Sequence, residues 1–270
     1  MGDETVRNRF LKKRLERILQ NVLDIFEADD GKSFEEKKAL AIRMLTKGQV
    51  SLTADIPVDK AKKEESAARI RESFWRFGKE IRASDKITIR EVCVSDREPF
   101  LELRKIYSLT KAVLENEVYQ SVAWHEHTKQ TSLMFTILHE GNYAGYCGIQ
   151  DLTKEVWEIS IELLPEKTGK GIGFSAISAM LNGLRDRLGV RHYRVRIEPT
   201  NCASQGLFEK LGAVPNGLSE PWQQNPEDLT QLEQENMSLL DENIFKVAAK
   251  FSVEPHALLS HVLEYTLMWT

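Results

Sequence analysis

The chain has 270 residues, of which 41% are hydrophobic, so it is long enough to bury a sizeable core. Its 37 basic and 41 acidic residues give a net charge of −4, which argues against the broad positive surface of proteins that bind nucleic acid regardless of sequence. Cys93, Cys147 and Cys202 are far apart and form no C-x-x-C pair, which argues against a disulfide framework or a thiolate zinc site and favours a reducing compartment. The N-terminus is charged throughout and no apolar stretch is long enough to span a bilayer, so we expect a cytoplasmic protein with no membrane or nucleic-acid partner.

Residues 1–85 show helical patterns in three segments, which are 6–28, 33–47 and 59–82. Apolar residues recur at intervals of three and four in the first and third segments, which is the spacing of one buried helix face. The second segment begins with Ser33 and Glu36, a capping-box pattern in which each side chain satisfies a backbone N–H of the other residue. We therefore expect a helical N-terminal region over 1–85.

From residue 86 onward the sequence changes to short β-type runs, which are ITIREV, SLMFTILHEG, YAGYCGIQDL, EVWEISIELL and HYRVRIE. A helical stretch over about 98–119 follows the first run, and a further helix follows each of the last two. Several antiparallel strands followed by a strand–helix–strand–helix unit predict a mixed α+β sheet over 86–219. Residues 220–270 return to a helical pattern, so we expect a helical C-terminal extension.

Three glycines alternate in the segment EKTGKGIGFSAISAML, directly before an apolar run with helical spacing. Glycine at this density allows a tight turn and the close approach of a ligand to the backbone. A helix that begins near Ile172 points its unpaired N–H groups and its positive end into this loop. The loop is therefore predicted to bind an anion, most plausibly a phosphate group.

Two phosphate-binding motifs fit the loop poorly. A P-loop needs Ser or Thr after its lysine, but Lys170 is followed by Gly171. A dinucleotide fingerprint G-x-G-x-x-G matches Gly169 and Gly171, and Glu198 ends a later strand where it could hold a ribose hydroxyl. However, Phe174 occupies the position of the third glycine, and the preceding strand is not the continuous hydrophobic run of a central parallel strand.

The strand WEISIEL alternates between apolar and polar residues. Its apolar residues face the core, and Glu158, Ser160 and Glu162 face the other side of the sheet. Carboxylates on a strand that ends at an anion-binding loop are suited to acid–base chemistry beside a phosphorylated cofactor.

The segments EISIELLPEKTGKGIGFSAISAMLNGL and VRIEPTNCASQGLFEKLGA resemble the GNAT family of N-acetyltransferases, closest in style to its ribosomal-protein N-acetyltransferase branch. The resemblance covers about 86–219 and implies a mixed, mostly antiparallel sheet flanked by helices, with acetyl-CoA (CoA) as the cofactor. In the family, the pattern (Gln or Arg)-x-x-Gly-x-(Gly or Ala) binds the cofactor pyrophosphate through backbone N–H groups. The matching positions, of which the first departs from the pattern, are Thr168, Gly169, Lys170, Gly171, Ile172 and Gly173.

The resemblance also implies a cleft between two splayed strands, into which the pantetheine arm of the cofactor inserts. A backbone N–H near Leu163 or Leu164 would stabilise the oxyanion. Asn201 matches an asparagine that binds the cofactor arm, and it also stands where a helix N-cap belongs. The family tyrosine that protonates the departing thiolate is replaced by Phe208, so Ser204 or water would have to assist.

Three carboxylates are candidates for the general base. Glu158 matches the strand position at which several relatives place this base, with Glu162 and Glu198 as alternatives. The competing interpretation of Glu158 is a solvated surface carboxylate.

The segment around WHEHTK lies where the family's acceptor-recognition elements usually fall, which makes Tyr119, Trp124 and His125 candidate acceptor contacts. His125 and His127 are two residues apart without a third ligand, so no metal site is expected. The acceptor could be a protein N-terminus, a lysine or a small amine.

These features lead to two hypotheses. The first is an acetyl-CoA-dependent N-acetyltransferase, in which the flanking helices shape substrate access or form a homodimer interface. The alternative is a catalytically silent acyl-CoA-binding or partner-binding module, which is suggested by Thr168, Phe208 and the two helical extensions.

Overall fold

The centre of the protein is an eight-stranded sheet. The computed structural model describes residues 31, 36–37, 58–108, 115–219, 230 and 233–270, and apart from 36–37 the helices expected over 6–28 and 33–47 lie outside these residues. The strands are β1 (Glu80–Arg82), β2 (Ile87–Glu91), β3 (Leu133–His139), β4 (Asn142–Ile149), β5 (Trp157–Leu163), β6 (His192–Ile197), β7 (Val214–Ser219) and β8 (Val262–Met268). Their order is β1-β2-β3-β4-β5-β6-β8-β7, and only the β5–β6 pair is parallel. The predicted mixed, mostly antiparallel sheet flanked by helices is confirmed.

Helices cover both faces of this sheet. They are α1 (Val58–Trp75), α2 (Arg97–Tyr107), α3 (Glu117–Thr128), α4 (Ile172–Leu188), α5 (Cys202–Lys210) and α6 (Glu242–Phe251). The main core joins α1, α4, α5 and α6 to one face, with Phe74 and Ile177 fully buried. A second core joins α2 and α3 to the other face around Phe100 and Tyr146. The two cores arise because alternate strand residues point to opposite faces of a sheet.

Two expected helices differ from the structure. The helix predicted over 59–82 ends at Trp75, and Glu80–Arg82 instead forms the edge strand β1, where pairing with β2 satisfies its backbone groups. The helix predicted over 98–119 is two helices. The first ends because Ser108 is extended, and the second begins at Asn116, whose side chain accepts a hydrogen bond from the Val118 N–H.

The C-terminal residues are part of the sheet. Strand β8 lies between β6 and β7, so the prediction of a wholly helical extension over 220–270 is wrong at Val262–Met268. This segment alternates in burial with a period of two residues, which is the pattern of a strand. Leu263, Tyr265 and Leu267 are fully buried, and the residues between them are more exposed. Helix α6 precedes this strand and is held to α5 by an ion pair between Lys250 and Glu209. The predicted boundary at residue 219, between the mixed α+β region and the C-terminal extension, stays a prediction.

A buried ion pair fixes the start of α2 against the sheet. Asp96 is 4% exposed and accepts hydrogen bonds from Arg90 at 2.6 and 2.7 Å, from the Thr136 hydroxyl at 2.6 Å and from the Cys93 N–H at 2.9 Å. Burial alone would raise the pKa of Asp96, but these hydrogen bonds lower it to about 2. Because the pKa is lower in the folded state, the pair stabilises the fold above pH 4 and this contribution is lost as the pH falls towards 2.

We expect Asp96→Asn to lower the free energy of unfolding by about 2 kcal/mol at pH 7, because Arg90 loses its charged partner. Urea unfolding at pH 7 and at pH 2.5 measures the effect, and the difference from the wild type should shrink at the lower pH. Asp85→Asn is the matched control, since Asp85 is 96% exposed in its pair with Arg82 and its loss should leave stability unchanged. An equal cost for the two variants would contradict the assignment.

Candidate active site

Strands β5 and β6 diverge to form a cleft. They pair only at their beginning, where Trp157 lies beside Tyr193 and Glu158 beside Arg194. Beyond this point β5 continues to Leu163 and β6 to Ile197, with no further pairing between them. The facing edges of two central strands are therefore left open.

The open edge of β5 presents backbone polar groups to the cleft. The Leu164 N–H donates to the Ala144 carbonyl of β4 at 3.0 Å, so it is already used. Successive residues of a strand direct their N–H and C=O groups to opposite edges, so those of Leu163 and Ile161 face the cleft. The Tyr107 hydroxyl donates to the Leu163 carbonyl at 2.9 Å. Of the two expected oxyanion donors, Leu163 is the one whose N–H faces the open edge.

The glycine loop connects β5 to α4 at the end of the cleft. A short turn over Pro165–Lys167 comes first, and the Thr168 hydroxyl donates to the Pro165 carbonyl at 2.7 Å within the loop. Gly169 and Gly171 have φ angles of 68° and 75°, in the left-handed region that favours glycine. A Cβ atom at either position would meet no atom within 4 Å, so the loop leaves open space above its backbone.

This loop carries unpaired donors. Among the described hydrogen bonds none is donated by the backbone N–H groups of 169–174, and the first such donor is Ser175, which bonds to the Gly171 carbonyl at 3.1 Å. These groups surround the N-terminus of the 17-residue helix α4, whose dipole favours negative charge at this end. The arrangement is suited to an anion such as a phosphate.

The third glycine of the motif has a packing role. A Cβ at Gly173 would lie 3.2 Å from Ile161 Cδ1 and 3.3 Å from Leu207 Cδ2. Gly173 therefore allows α4 to approach β5 and α5 closely. Ile172 beside it is 1% exposed in the main core, and Lys170 is exposed.

Helix α5 begins beside the end of β6. The Asn201 side chain accepts a hydrogen bond from the Ser204 N–H at 3.0 Å, which confirms the predicted N-cap. Phe208 is 2% exposed within the main core, so its ring offers almost no surface to a ligand. The cofactor contacts expected of Asn201, Ser204 and Phe208 stay predictions.

Glu158 is held in ion pairs across the closed end of the cleft. Both of its carboxylate oxygens lie 2.9 Å from Arg196 Nε, and one lies 3.3 Å from Arg194 Nη2. The Glu158 side chain is 20% exposed. These contacts tie β5 to β6 just before the strands separate. Glu198, the third candidate base, follows β6 and is exposed.

Glu162 has a different environment. Its Oε1 accepts a hydrogen bond from Arg104 of α2 at 2.7 Å, and its Oε2 is buried without a partner. Tyr146 pairs with Glu162 across β4 and β5, and its hydroxyl lies 3.5 Å from Arg104 Nη1. Burial raises the pKa of Tyr146, so this hydroxyl stays protonated.

The three expected acceptor contacts on α3 differ in exposure. The Tyr119 hydroxyl is buried without a partner, and burial raises its pKa to about 12. Trp124 is half-buried, with its ring 5.7 Å from that of Phe100, and His125 is exposed. The acceptor contacts expected of these three residues stay predictions.

His127 is buried and stacks on Phe100 at 4.2 Å, whereas His125 faces solvent. Burial and the nearby charge of Arg104 lower the pKa of His127 to about 3, so its ring is neutral. No group of three or more His, Cys, Asp or Glu side chains within the described ranges is arranged to hold a metal ion.

Sequence reasoning missed the residues of α2 that contact β5. Arg104 and Tyr107 are three residues apart, which places them on one helix face, and both reach β5. The spacing was visible in the sequence, but the pairing of α2 with β5 was not. Tyr143 and Tyr146 of β4 belong to the second core beside α2, and their sequence pattern indicated only that they lie on a strand.

The sheet, the cleft and the glycine loop together form a site that is suited to a phosphate-bearing ligand at a helix N-terminus. The family model described as Acetyltransferase (GNAT) domain matches residues 86–214, so this segment is similar to acetyltransferases of the GNAT family. This match ends before β8, which lies at Val262–Met268 in the same sheet.

Similar proteins include a Bacillus subtilis (strain 168) protein named as a candidate alanine N-acetyltransferase of ribosomal protein bS18. It is 21% identical over 118 residues, which cover 43% of this chain and 78% of the relative. The structure of RimL, a ribosomal L7/L12 alpha-N-protein acetyltransferase in complex with coenzyme A, is 14% identical, covers 70% of this chain and 98% of that chain, and has a TM-score of 0.49. Microcin C7 self-immunity acetyltransferase MccE, in complex with acetyl-CoA and AMP, is 14% identical, covers 69% and 94% of the two chains, and has a TM-score of 0.48.

None of the helices within the described ranges has the length and apolar character needed to span a membrane.

Proposed function

We propose that the protein is an acetyl-CoA-dependent N-acetyltransferase that moves an acetyl group from the CoA thioester to a primary amine. The observation that carries this proposal is the cleft between β5 and β6 with the glycine loop at its end. The match of residues 86–214 to the acetyltransferase domain supports it.

The residues present fit this cofactor. The N–H groups of 169–174 have no described partner and would hold the pyrophosphate, while the backbone groups of Ile161 at the open edge of β5 would hold the pantetheine arm. The open space above Gly169 and Gly171 admits a ligand directly against the backbone. When bound, acetyl-CoA supplies an acetyl group activated as a thioester.

Residues of the protein would carry out the other steps of the reaction. The amine must lose a proton to attack, and the Leu163 N–H would stabilise the oxyanion. Glu162 is better suited than Glu158 to accept the proton, because its Oε2 has no partner and both Glu158 oxygens are bound by Arg196. Phe208 has no proton to give, but a thiol has a pKa of about 8.5, so CoA leaves as an acceptable thiolate.

We propose a protein α-amine as the acceptor. The Bacillus subtilis relative is named for an alanine of a ribosomal protein, which supports this class. A weaker base is also enough to deprotonate an α-amine than to deprotonate a lysine side chain, because the pKa of an α-amine is about 8 and that of a lysine side chain is about 10.4.

Thiol release from acetyl-CoA tests the reaction. With L-alaninamide, which carries only an α-amine, we expect turnover of about 1 s⁻¹ or faster, in the ordinary range of enzymes. Nα-acetyl-lysinamide, which carries only an ε-amine, should react more slowly. Mass spectrometry of the product should show one added acetyl group. No release above the protein-free background with either amine would instead support a silent acyl-CoA-binding module, the alternative that the buried Phe208 favours.

The cytoplasmic location is also a proposal. All three cysteines are free thiols, of which Cys93 and Cys202 are exposed, and exposed thiols persist in a reducing compartment.

A further inference from the structure

The last turn of α2 closes on the open edge of β5. The Tyr107 hydroxyl donates a hydrogen bond to the Leu163 carbonyl at 2.9 Å, and Arg104, three residues earlier, binds Glu162 Oε1 at 2.7 Å. The Leu163 carbonyl faces the cleft, because the N–H of the next residue donates to β4 on the other side. One acceptor on the edge of the cleft is therefore occupied by a side chain of the protein itself.

This turn is attached to the rest of the fold more weakly than the middle of α2. Leu103 is fully buried in the second core and anchors the middle of the helix. Ile106 and Tyr107 are nearly half exposed and belong to neither of the described cores, and Ser108 after them is extended. The side chains of Arg104 and Tyr107 tie this end of α2 to β5, and both are open to solvent. Contacts of this kind are weak, because water competes for the same groups.

The Tyr107 contact competes with a ligand that lies along β5. Such a ligand extends the sheet by pairing with the backbone groups of the open edge, and the Leu163 carbonyl is one of these groups. Burial and the charges of Glu162 and Glu166 raise the pKa of Tyr107, so its hydroxyl stays protonated and donates. Its oxygen lies at the distance from the carbonyl that a ligand N–H would take. A pantetheine arm, which carries amide N–H donors, therefore meets an edge that is already in use.

We propose that Tyr107 is a latch that closes the empty cleft, and that it has to release the Leu163 carbonyl before the cofactor arm can lie along β5. This inference rests on the proposed function and deepens it, because it names how access to the same site is regulated. Arg104 in the same turn binds Glu162, the proposed base. Release of the turn therefore also uncovers this carboxylate for the acceptor.

Calorimetric titration with acetyl-CoA tests the latch through the direction of one effect. Tyr107→Phe removes the hydroxyl and keeps the ring, so this variant has no hydrogen bond to break and should bind acetyl-CoA about 2- to 10-fold more tightly than the wild type. A hydroxyl that helped to hold the cofactor would give the opposite result. Tyr193→Phe is the matched control, because it loses a similar hydrogen bond, of 2.8 Å to the Val190 carbonyl, away from the open edge of β5. Its affinity for acetyl-CoA should equal that of the wild type.

Amide hydrogen exchange tests the latch in the absence of the cofactor. The Ser108 N–H closes the last turn of α2 by donating to the Arg104 carbonyl at 2.9 Å. Tyr107→Phe should speed amide exchange at 104–108, because the turn loses one of its ties to β5 and opens more often. Exchange within α6, which lies on the other face of the sheet, should be the same in the variant and the wild type.

The outcomes separate the latch from the proposed function. Equal or weaker binding of acetyl-CoA by a folded Tyr107→Phe protein would overturn the latch and leave the transferase intact. Unchanged amide exchange at 104–108 would overturn it as well. Failure of both the wild type and Tyr107→Phe to bind acetyl-CoA would contradict the proposed function, and the exchange measurement would then still decide whether Tyr107 holds the end of α2 on β5. Binding by Tyr107→Phe alone would support both proposals.

Discussion

A chain that ends at residue 219 is expected not to fold. Such a chain keeps all of the residues that match the acetyltransferase domain but lacks β8, the strand between β6 and β7. Without β8, β7 has no neighbour and a row of backbone groups on β6 is left unpaired. Leu263, Tyr265 and Leu267 are each fully buried, and losing all three removes about 6–15 kcal/mol, as much as the whole stability of a typical domain. Circular dichroism and urea unfolding should show no cooperative transition.

Two neighbouring substitutions refine this prediction in the full chain. Leu267→Ala should cost about 3 kcal/mol because Leu267 is fully buried, whereas Met268→Ala should cost less than about 1 kcal/mol because Met268 is 60% exposed. A truncated chain that unfolds cooperatively, or equal costs for the two substitutions, would contradict the placement of β8.

The second large effect concerns the glycine loop, where Gly171→Asp should weaken acetyl-CoA binding roughly 100-fold or more. The added carboxylate would occupy the open space at the N-terminus of α4, where the proposed pyrophosphate binds, and would repel it. Isothermal titration calorimetry of acetyl-CoA measures the loss. Gly171→Asn, which adds similar bulk without charge, should weaken binding less.

The chain offers a matched control at the other end of the same helix. Gly189 caps the C-terminus of α4 with a φ of 72°, close to the 75° of Gly171, and a Cβ there also meets no atom within 4 Å. Gly189→Asp therefore introduces the same strain and the same charge away from the loop, so it should retain wild-type affinity. A similar loss of affinity in both variants would mean that the effect comes from the helix and not from the anion site.

The local features of the fold and of the site could be predicted from the sequence. The alternation of β5, the glycines before α4 and the Asn201 cap are patterns of near neighbours, and the structure has all three. The divergence of β5 and β6 was implied by the family resemblance rather than by any pattern in the residues themselves.

The rest depends on contacts between distant segments. The apolar residues of β8 suit a strand or a buried helix until their neighbours β6 and β7 are known. Arg104 and Glu162 are 58 residues apart, so nothing near Glu162 in the sequence shows that one of its oxygens is bound and the other vacant. Likewise, the ion pairs that occupy Glu158 come from Arg194 and Arg196 on a strand that follows α4.

The most direct test of the central claim is a crystal structure of the protein with acetyl-CoA. We expect the pantetheine arm between β5 and β6, hydrogen-bonded to the open edge of β5, with the pyrophosphate on the N–H groups of 169–174. Acetyl-CoA bound at another surface, or a cleft that stays closed while the cofactor is bound, would contradict it.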